Sequence, residues 1–368
     1  MKNLAIIGAS YLQLPLIRKA KEMGFITHVF AWAANDVGEK EADFFYPISI
    51  IEKDAILKKC EEIGIVGICS IASDLASITV NYVASNLNLN ANDMPTTMRC
   101  TNKYLMRETF RLNGDPSPLS FIVNNENELK ELCLKYPVII KPTDRSGSRG
   151  IFKVNSPEIL TESFYKALSE SFEKKVLVEE FVEGTEYSVE YLSHKGVHNF
   201  LAVTLKYTTG APHFIETAHS EPVFLEEIIL DKIKKVVEHA LTSLGVKEGA
   251  SHSEIKIADD GTIKIIEIGA RMGGDCIGSH LVKYSTGIDF LKAVIQVACN
   301  QSPDLSSSGL KQAVKVVFIF TEEDKKAFET LKKTEPDKIL DIIDTHFELI
   351  GKTTDSSNRA GCYIIREC

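Results

Sequence analysis

The N-terminal part of the chain switches between the hydrophobic period of buried strands and that of amphipathic helices. Apolar runs at 4–7, 26–31, 42–48 and 65–71 predict strands, and the segments between them space their apolar residues as one helix face does. Strands that alternate with helices are typical of a parallel sheet covered on both faces. We therefore predict a doubly wound α/β domain over residues 1–95.

After residue 95 the pattern is less regular, and long strands mix with helices of several lengths. Thr101 is expected to cap a helix that carries Lys103. The other predicted elements are helices at 126–136, 159–172, 231–244 and 281–299, and strands at 120–123, 151–154, 176–180, 186–192, 200–207, 314–320 and 361–365. We expect an α+β domain over 96–310 with a smaller lid-like subdomain at 120–187, then a small β-rich α+β segment over 311–368.

The stretch 251–275 predicts a β-hairpin that carries two acidic side chains. Two alternating apolar runs flank Asp-Asp-Gly at 259–261, a turn in which glycine tolerates positive φ. Glu254 and Glu267 lie at similar distances from this turn, so strand pairing brings both carboxylates to one face. Mg²⁺ removes the repulsion between such carboxylates and prefers them together with phosphate oxygens. The alternative is an exposed hairpin with two solvated glutamates.

Two strand-to-helix turns lie where an open α/β sheet places its ligands. The first, at 8–10, lacks the GxGxxG pattern and predicts a tight turn without a nucleotide. The second, at 70–74, either contributes to a substrate site or only begins a helix with Ser73 or Asp74 as its cap.

A strand that ends at Lys141 leads into a short polar loop. Small residues at Ser146, Gly147, Ser148 and Gly150 would let backbone N–H groups approach an anion. The loop lacks the GKS/T end of a Walker A sequence, which excludes a P-loop NTPase. A flexible hairpin tip is the alternative. A lysine in an apolar strand needs an anionic partner or access to solvent.

Another apolar strand ends in Glu179 and Glu180 and is followed by Phe181 and Val182. Free backbone N–H and C=O groups beside apolar walls can pair with an adenine edge, and a later carboxylate can accept ribose hydroxyls. The alternative is an ordinary hairpin with charged flanks. This segment is therefore a candidate nucleotide contact.

Bulk composition narrows the class of protein. A chain of 368 residues, 44% hydrophobic, can build more than one domain, and a net charge of −9 without a long basic run argues against nucleic acid as a partner. The eight cysteines form no CxxC pair and are expected as thiols in a reducing compartment. No signal-peptide pattern is present, and no apolar run approaches the ~20 residues of a transmembrane helix. We expect a soluble cytoplasmic protein without a membrane partner; a homodimer is left open, because no apolar stripe indicates an interface.

The order of these features resembles that of the ATP-grasp superfamily. In chain order they are Lys103, Lys141 with its loop, the EEFVEGTE segment, and the hairpin with Glu254, Glu267 and Arg271, over about residues 96–300. Within the superfamily the chain is most similar to carboxylate–amine ligases of the L-amino-acid (dipeptide) ligase type, as HSEIKIADDGTIKIIEIGARMGGD and the Ser-Thr-Gly-Ile-Asp run at 285–289 suggest. The resemblance implies a pre-ATP-grasp domain, then an ATP-grasp fold with two α+β subdomains.

The resemblance also implies which residues bind ATP and Mg²⁺, with Mn²⁺ as an alternative metal. The implied nucleotide contacts are Lys103 and Lys141 on the phosphates, the covering loop Ser146, Gly147, Ser148 and Gly150, the adenine contacts Glu179, Glu180, Phe181 and Val182, and Glu186 on the ribose. Glu254 and Glu267 would bind the metal. Many ATP-grasp enzymes carry Asn as a further ligand where this chain has Gly269, so Glu267 is expected to bridge if two metals bind.

On the substrate side, the resemblance implies that Arg271 holds the acyl phosphate and then the tetrahedral intermediate. The residues implied to face small carboxylate and amine substrates are Glu216, His219, Arg271, Gly273 and Gly274. His252 stands where some relatives use an arginine, and it is a catalytic candidate whose role is open. Lys141 is the third catalytic candidate.

The implied activity is ATP-dependent ligation of a small carboxylate, an amino acid, to an amine. Phosphorylation of the carboxylate would give an acyl phosphate, which the amine attacks with release of phosphate, while ADP is the other product. Two alternatives are kept: an ATP-grasp enzyme of nucleotide metabolism or carboxylation, and a nonenzymatic nucleotide-binding protein. The sequence does not identify the acid or the amine.

Overall fold

The computed structural model describes residues 2–145, 149–210, 215–309, 311–353 and 359–367. In these residues the strands form a four-stranded parallel sheet, a four-stranded antiparallel sheet and an eight-stranded antiparallel sheet. This mixed α/β architecture agrees with the predicted fold class. None of the described helices has the length and apolar character needed to cross a membrane.

The N-terminal sheet is parallel, and helices cover both of its faces. Its elements are β1 (Lys2–Ile7), α1 (Leu14–Glu22), β2 (Phe25–Ala31), α2 (Val37–Glu41), β3 (Phe44–Pro47), α3 (Lys53–Ile63), β4 (Gly67–Cys69) and α4 (Asp74–Asn86). The strand order is β3-β2-β1-β4. Leu4 and Ile6 belong to one core and Ala5 and Ile7 to another, so central β1 is buried on both faces. The predicted doubly wound sheet is confirmed.

Two helices, α5 (Met94–Thr101) and α6 (Lys103–Asn113), lead out of this first sheet. The side chain of Asn102 caps α6 by accepting hydrogen bonds from the backbone N–H groups of Tyr104 and Leu105. The prediction of Thr101 as this cap is wrong. Thr101 ends α5, and its hydroxyl donates to the carbonyl of Thr97.

The small sheet is antiparallel and packs against two helices. Its elements are β5 (Ser120–Val123), α7 (Glu126–Lys130), β6 (Val138–Pro142), β7 (Phe152–Val154), α8 (Leu160–Glu170) and β8 (Val176–Glu180), with strand order β5-β8-β6-β7. The predicted helix at 126–136 is wrong beyond Lys130. Leu132 and Leu134 pack against the core of this sheet outside a helix, and the residue before Pro137 is disfavoured in helical conformation.

The large sheet carries six of the predicted site residues, namely Glu186, Glu216, His219, His252, Glu254 and Glu267. Its elements are β9 (Thr185–His194), β10 (Val197–Thr208), β11 (Glu216–Glu221), α9 (Glu227–Leu244), β12 (Gly249–Ile257), β13 (Ile263–Gly269), a π-helix (Ile277–Leu281), α10 (Val282–Thr286), α11 (Phe290–Ala298), β14 (Val314–Ile319), α12 (Glu322–Thr334), β15 (Ile339–Thr345) and β16 (Gly361–Arg366). The strand order is β13-β12-β9-β10-β11-β14-β16-β15. The segment after residue 311 thus extends this sheet.

The predicted single helix at 281–299 is broken in the structure. Gly287 adopts φ +76° and ends α10, and a Cβ at this position would lie 2.6 Å from the hydroxyl of Ser307. Asp289 then caps α11 by accepting from the N–H of Lys292. The C-terminal segment also contains α12 and β15 where only a charged stretch was expected.

The large sheet has a different neighbour on each face. One face shares a core with the N-terminal domain and α11, through Leu192 and Ala250. The other face packs under α6 and α9, through Val189 and Tyr191. Polar side chains of β9 to β12 therefore share the face of Leu192, between the N-terminal domain and the small sheet.

Candidate active site

The hairpin of β12 and β13 places the two predicted carboxylates opposite each other. Glu254 pairs directly with Glu267, and the strands are joined by a turn in which Gly261 has φ +78°. A bulge follows Glu254. Both carboxylates are about 25% exposed, toward the same cavity.

Each of these carboxylates is held by a buried lysine. Lys103 at the start of α6 lies 2.7 Å from Glu267 and donates to the carbonyl of Arg145 at 2.8 Å. Lys206 of β10 lies 2.6 Å from Glu254 and 2.8 Å from Glu186. Burial opposes ionisation of Glu254, but Lys206 outweighs it and holds the pKa of Glu254 well below its usual value.

The hairpin fits Mg²⁺ only when phosphate oxygens complete the coordination. Among the described residues no group of three or more His, Cys, Asp or Glu side chains could hold a metal ion. Mg²⁺ commonly takes one or two carboxylates together with phosphate oxygens and water. Glu254 and Glu267 meet that requirement, because both offer carboxylate oxygens at the edge of a cavity that is also lined by Lys103 and Lys141.

The space expected for a third ligand at Gly269 is filled by an ion pair. A Cβ at this position would lie 3.1 Å from Oδ1 of Asp74 and 3.2 Å from the guanidinium of Arg271. Arg271 donates from Nε to Asp74 Oδ1 at 2.8 Å and from Nη2 to Oδ2 at 3.3 Å. Asp74 follows β4, at the strand end where a substrate contact was left open, and the helix cap there is Ser73.

Lys141 has a buried acidic partner, as a lysine in an apolar strand requires. Glu179 accepts from Lys141 at 2.6 Å, from Arg107 at 2.7 Å and from the hydroxyl of Ser120 at 2.7 Å. Burial favours protonation of Glu179, but Arg107 and Lys141 lower its pKa to about 2. Burial lowers the pKa of Lys141. The carboxylate of Glu179 is thus engaged by three donors and holds Lys141 in place, and Glu179 itself lines the cavity described next.

The other expected nucleotide contacts lie around the same cavity, between the small and large sheets. Its lining includes Glu180, Phe181, Val182 and Glu186, together with Lys103, Lys141, Glu254, Glu267 and Arg271. The ring of Phe181 lies under Lys153 at 3.7 Å, and the Val182 carbonyl accepts from Lys256 at 3.2 Å. Glu180 is exposed and accepts from the N–H of Leu119 at 3.1 Å.

The predicted phosphate loop is only partly described. Ser146, Gly147 and Ser148 lie outside the described residues. Gly150 has φ +71°, and a Cβ there would lie 3.0 Å from Pro142. Gly150 therefore begins the return to β7 in a conformation that favours glycine.

His252 lies on the cavity face of β12 and is fixed by a buried glutamate. Its Nδ1 contacts Glu190 of β9, and its Nε2 is 3.6 Å from Glu254. Burial lowers the pKa of His252, but Glu190 overcomes this and raises it to about 9. Gly273 donates its N–H to Glu190 at 3.2 Å, and a Cβ there would lie 2.7 Å from His252 Nδ1. Gly273 thus supports this pair; no substrate-facing surface is found for it among the described cavities.

A second cavity, of about 370 Å³, adjoins the first. The two share Lys206, Glu216, His252, Glu254 and Arg271. The second continues past His219 and Gly274 to Tyr11, Asp275 and Arg359. Glu216, His219 and Gly274 are therefore together in the second cavity, as the predicted substrate residues would be.

Five partners of the predicted residues were not identified from sequence: Arg107, Glu190, Lys206, Asp275 and Arg359. Asp74 was considered only as a substrate contact or helix cap, and its pairing with Arg271 was not foreseen. Lys206 had the same signal as Lys141, a lone cation inside an apolar strand. Arg359 and Glu190 had no local signal, because their partners lie far away in the chain.

Comparison with known proteins agrees with this geometry. Residues 134–279 match the profile of a family described as "ATP-grasp domain". Alanine–anticapsin ligase of Bacillus subtilis (strain 168) is 25% identical over 305 residues, covering 74% of this chain and 64% of the relative. The chain spans about half the length of the first curated relatives that it matches.

Two solved structures show the same fold over the whole chain. Phosphoribosylglycinamide synthetase from Anaerococcus prevotii has a TM-score of 0.78 and 25% identity, covering 100% of this chain and 94% of that one. L-amino acid ligase from Bacillus licheniformis has a TM-score of 0.82 and 22% identity, covering 100% and 93%. From the matched domain and the shared fold, we conclude that the chain has the ATP-grasp fold and that its residues 134–279 match an ATP-grasp domain.

Proposed function

We propose that this protein is an ATP-dependent carboxylate–amine ligase that joins an amino acid to a second amine. The observation that carries the proposal is the position of Arg271 and Glu254, which line both the cavity with Lys103 and Lys141 and the cavity with His219. A reacting carboxylate at this junction would face nucleotide phosphates on one side and an amine on the other. The similarity to proteins named alanine–anticapsin ligase and L-amino acid ligase supports the same class of reaction.

The mechanism follows from where the charges lie. Lys103 and Lys141 would bind the ATP phosphates, and Mg²⁺ held by Glu254 and Glu267 would neutralise phosphate charge. The substrate carboxylate takes the γ-phosphate and ADP leaves. The amine then attacks the acyl carbon, loses a proton and expels phosphate, while Arg271 stabilises the oxyanion.

The domain division and the cell compartment form part of the proposal. We propose three domains: an N-terminal domain at 1–95, an ATP-grasp domain at 96–310 and a C-terminal segment at 311–368. The ATP-grasp domain includes the lid-like subdomain at 120–187. The strands of the C-terminal segment complete the large sheet. The cysteines of the described residues are all free thiols, which fits the cytoplasm. Whether the protein forms a homodimer stays open.

A second candidate is an ATP-grasp enzyme of nucleotide metabolism or carboxylation. The similarity to phosphoribosylglycinamide synthetase, at 25% identity over the whole chain, favours it. That reaction class also uses an acyl phosphate and the same nucleotide site. The difference lies in the second cavity, which would then hold an amine-bearing ribonucleotide or bicarbonate.

The test measures phosphate released from ATP with Mg²⁺ in the presence of amino-acid pairs, ribonucleotide amines or bicarbonate. We expect release only with amino-acid pairs, and loss of release in Glu267→Gln but not in Glu183→Gln, an exposed residue outside the site. Release with bicarbonate or ribonucleotides alone would establish the second candidate. ATP binding without any ADP formation would indicate a nonenzymatic protein.

A further inference from the structure

The second cavity ends at a wall formed by Asp275 and Arg359, for which the ligation chemistry has no use. We propose that this polar wall selects an amino-acid substrate whose side chain is small and uncharged and carries a hydroxyl or carboxamide group. The inference rests on the proposed ligase function, because it names the substrate class of the same site.

The polar wall is a buried, two-point ion pair. Arg359 donates from Nη1 to Asp275 Oδ2 at 2.9 Å and from Nη2 to Oδ1, and its side chain is 5% exposed. The ring of Phe318 lies 3.7 Å from the guanidinium carbon, and Nη1 also approaches the carbonyl of Glu216 at 3.4 Å. Contacts on several sides leave the guanidinium little freedom to move away from a bound substrate.

The turn that carries Asp275 is strained, which points to a functional requirement. Asp275 has φ +51° and Cys276 has φ +64°, although neither is glycine. The left-handed region is unfavourable for most residues other than glycine, less so for Asp than for Cys, and strain of this kind clusters at ligand sites. The turn delivers Asp275 to the cavity before the π-helix Ile277–Leu281 begins.

The charges of the polar wall are paired with each other, so a charged substrate side chain gains no net attraction from the wall. Arg359 pairs with Asp275 there, while Arg149, an exposed cation of the same cavity lining, is not part of the wall. A charged group that reaches the wall would lose its hydration without a free counter-ion at that point. The pairing therefore disfavours acidic and basic side chains.

An aliphatic side chain is disfavoured for a different reason. It would cover the polar wall without replacing the hydrogen bonds that water makes there. A hydroxyl or carboxamide both donates and accepts, so it can bind the carboxylate of Asp275 and the guanidinium of Arg359 together. His219 offers a further hydrogen-bonding group to such a side chain. Its buried Nδ1 has no hydrogen-bond partner among the described residues, and its Nε2 lies 3.6 Å from Asp275.

The experiment compares matched amino acids of nearly equal shape. Threonine against valine, and asparagine against leucine, are each supplied with L-alanine, ATP and Mg²⁺, and kcat/KM is measured from phosphate release. We expect the polar member of each pair to be preferred at least about tenfold, since a site that hydrogen-bonds its substrate rejects the analogue lacking that group.

Substitutions at Asp275 and Arg359 then test whether the polar wall causes the preference for the polar amino acid. Asp275→Leu together with Arg359→Met should bring the ratio to about one or reverse it, and the milder Asp275→Asn should lower it if the double variant does not fold. Arg366→Gln is the matched control, because Arg366 is an exposed arginine of β16 that bonds Gln312. It should keep the wild-type ratio.

The outcomes separate this inference from the ligase proposal. Amino-acid-dependent release with a preference for valine and leucine, or for charged amino acids, would overturn the inference alone. An unchanged ratio in a folded double variant would also overturn it. No release with any amino-acid pair would remove the ligase function and this inference with it.

Discussion

At the scale of single residues, each acidic group of the site is matched by a cation from a distant part of the chain. Glu179 of β8 meets Arg107 of α6, and Glu254 of β12 meets Lys206 of β10. In a buried pair the attraction only offsets the loss of hydration, so removing one partner leaves an uncompensated charge. The arrangement therefore makes these residues sensitive to substitution beyond their part in catalysis.

Arg107→Met tests this sensitivity. It removes one of the two cations on Glu179 and should lower the free energy of unfolding by about 3–5 kcal/mol, measured by chemical denaturation. Arg111→Met, one turn further along α6, removes an exposed pair with Glu108 and should change it by less than about 1 kcal/mol. Equal effects of the two substitutions would contradict the assigned role of Arg107.

Glu221 predicts a pH dependence of stability. It is fully buried between the hydroxyls of Thr204 and Ser285, and burial raises its pKa from 4.5 to about 8. The folded state therefore keeps a proton that the unfolded state releases above pH 4.5. Its contribution is fully present below that pH and is lost, at about 1.4 kcal/mol per pH unit, until the pH passes about 8.

Glu221→Gln removes this titration while it keeps the shape of the side chain. We expect wild type and variant to unfold at similar denaturant concentrations near pH 5, and the variant to be more stable at pH 8. Glu183→Gln, at an exposed position, serves as the control and should follow the wild type at both pH values. A variant less stable than wild type at pH 8 would show that Glu221 is ionised in the fold.

At the scale of elements, the hairpin and the turn after it depend on close approach. Gly269 leaves room for the pair of Arg271 and Asp74, and Gly273 leaves room for the pair of His252 and Glu190. At both positions a Cβ would come close to a polar side chain. Glycine is therefore required at and after the end of β13 because there is no room for a side chain, and not because of the backbone conformation.

Gly269→Asn tests whether position 269 has room for a side chain. It also introduces the Asn that many ATP-grasp enzymes carry there as a further metal ligand. The added side chain must displace Asp74 or Arg271, so we expect ligase turnover to fall by about 10²–10³-fold, as loss of an oxyanion donor does. Asp259→Asn, in the exposed turn of the same hairpin, should leave turnover unchanged. Wild-type turnover of Gly269→Asn would contradict the crowding seen in the structure.

Elements with a regular period could be predicted from the sequence, and those fixed by distant contacts could not. The hairpin with Glu254 and Glu267 could be predicted because its turn and its two alternating strands are consecutive in the chain. The break at Gly287 was not, since its cause is the approach of Ser307. Strand β15 was missed because its charged residues resemble an exposed loop until β16 pairs with it.

At the scale of the whole molecule, one sheet runs from the hairpin of Glu254 and Glu267 to the C-terminal segment. Strand β14 pairs with β11, and β14 and β16 cover a core that includes Cys276 and Leu281. The part of the chain after residue 311 therefore completes both the sheet and the second cavity. This pairing could not be predicted from the sequence, because neither strand carries a local signal for its partner.

Ending the chain at residue 310 tests this dependence. The truncation exposes the edge of β11 and the apolar residues that β14 covers, so we expect an aggregating or partly unfolded product, detected by size-exclusion chromatography and circular dichroism. A chain that ends at Arg366 retains all the strands and should behave as the full chain does. A monodisperse, cooperatively unfolding truncation would contradict the role assigned to β14 and β16.

The pairing of β11 with β14 also bears on how fast the protein folds. Ala218 lies opposite Val317, and α9, the β12–β13 hairpin and two further helices come between them in the chain. Contacts between such distant segments form slowly, because a long loop must close before any of them is gained. During refolding, the edge of β11 that faces β14 would stay unpaired until β14 docks. The yield of folded protein would then depend on whether β14 docks before this edge associates with other molecules.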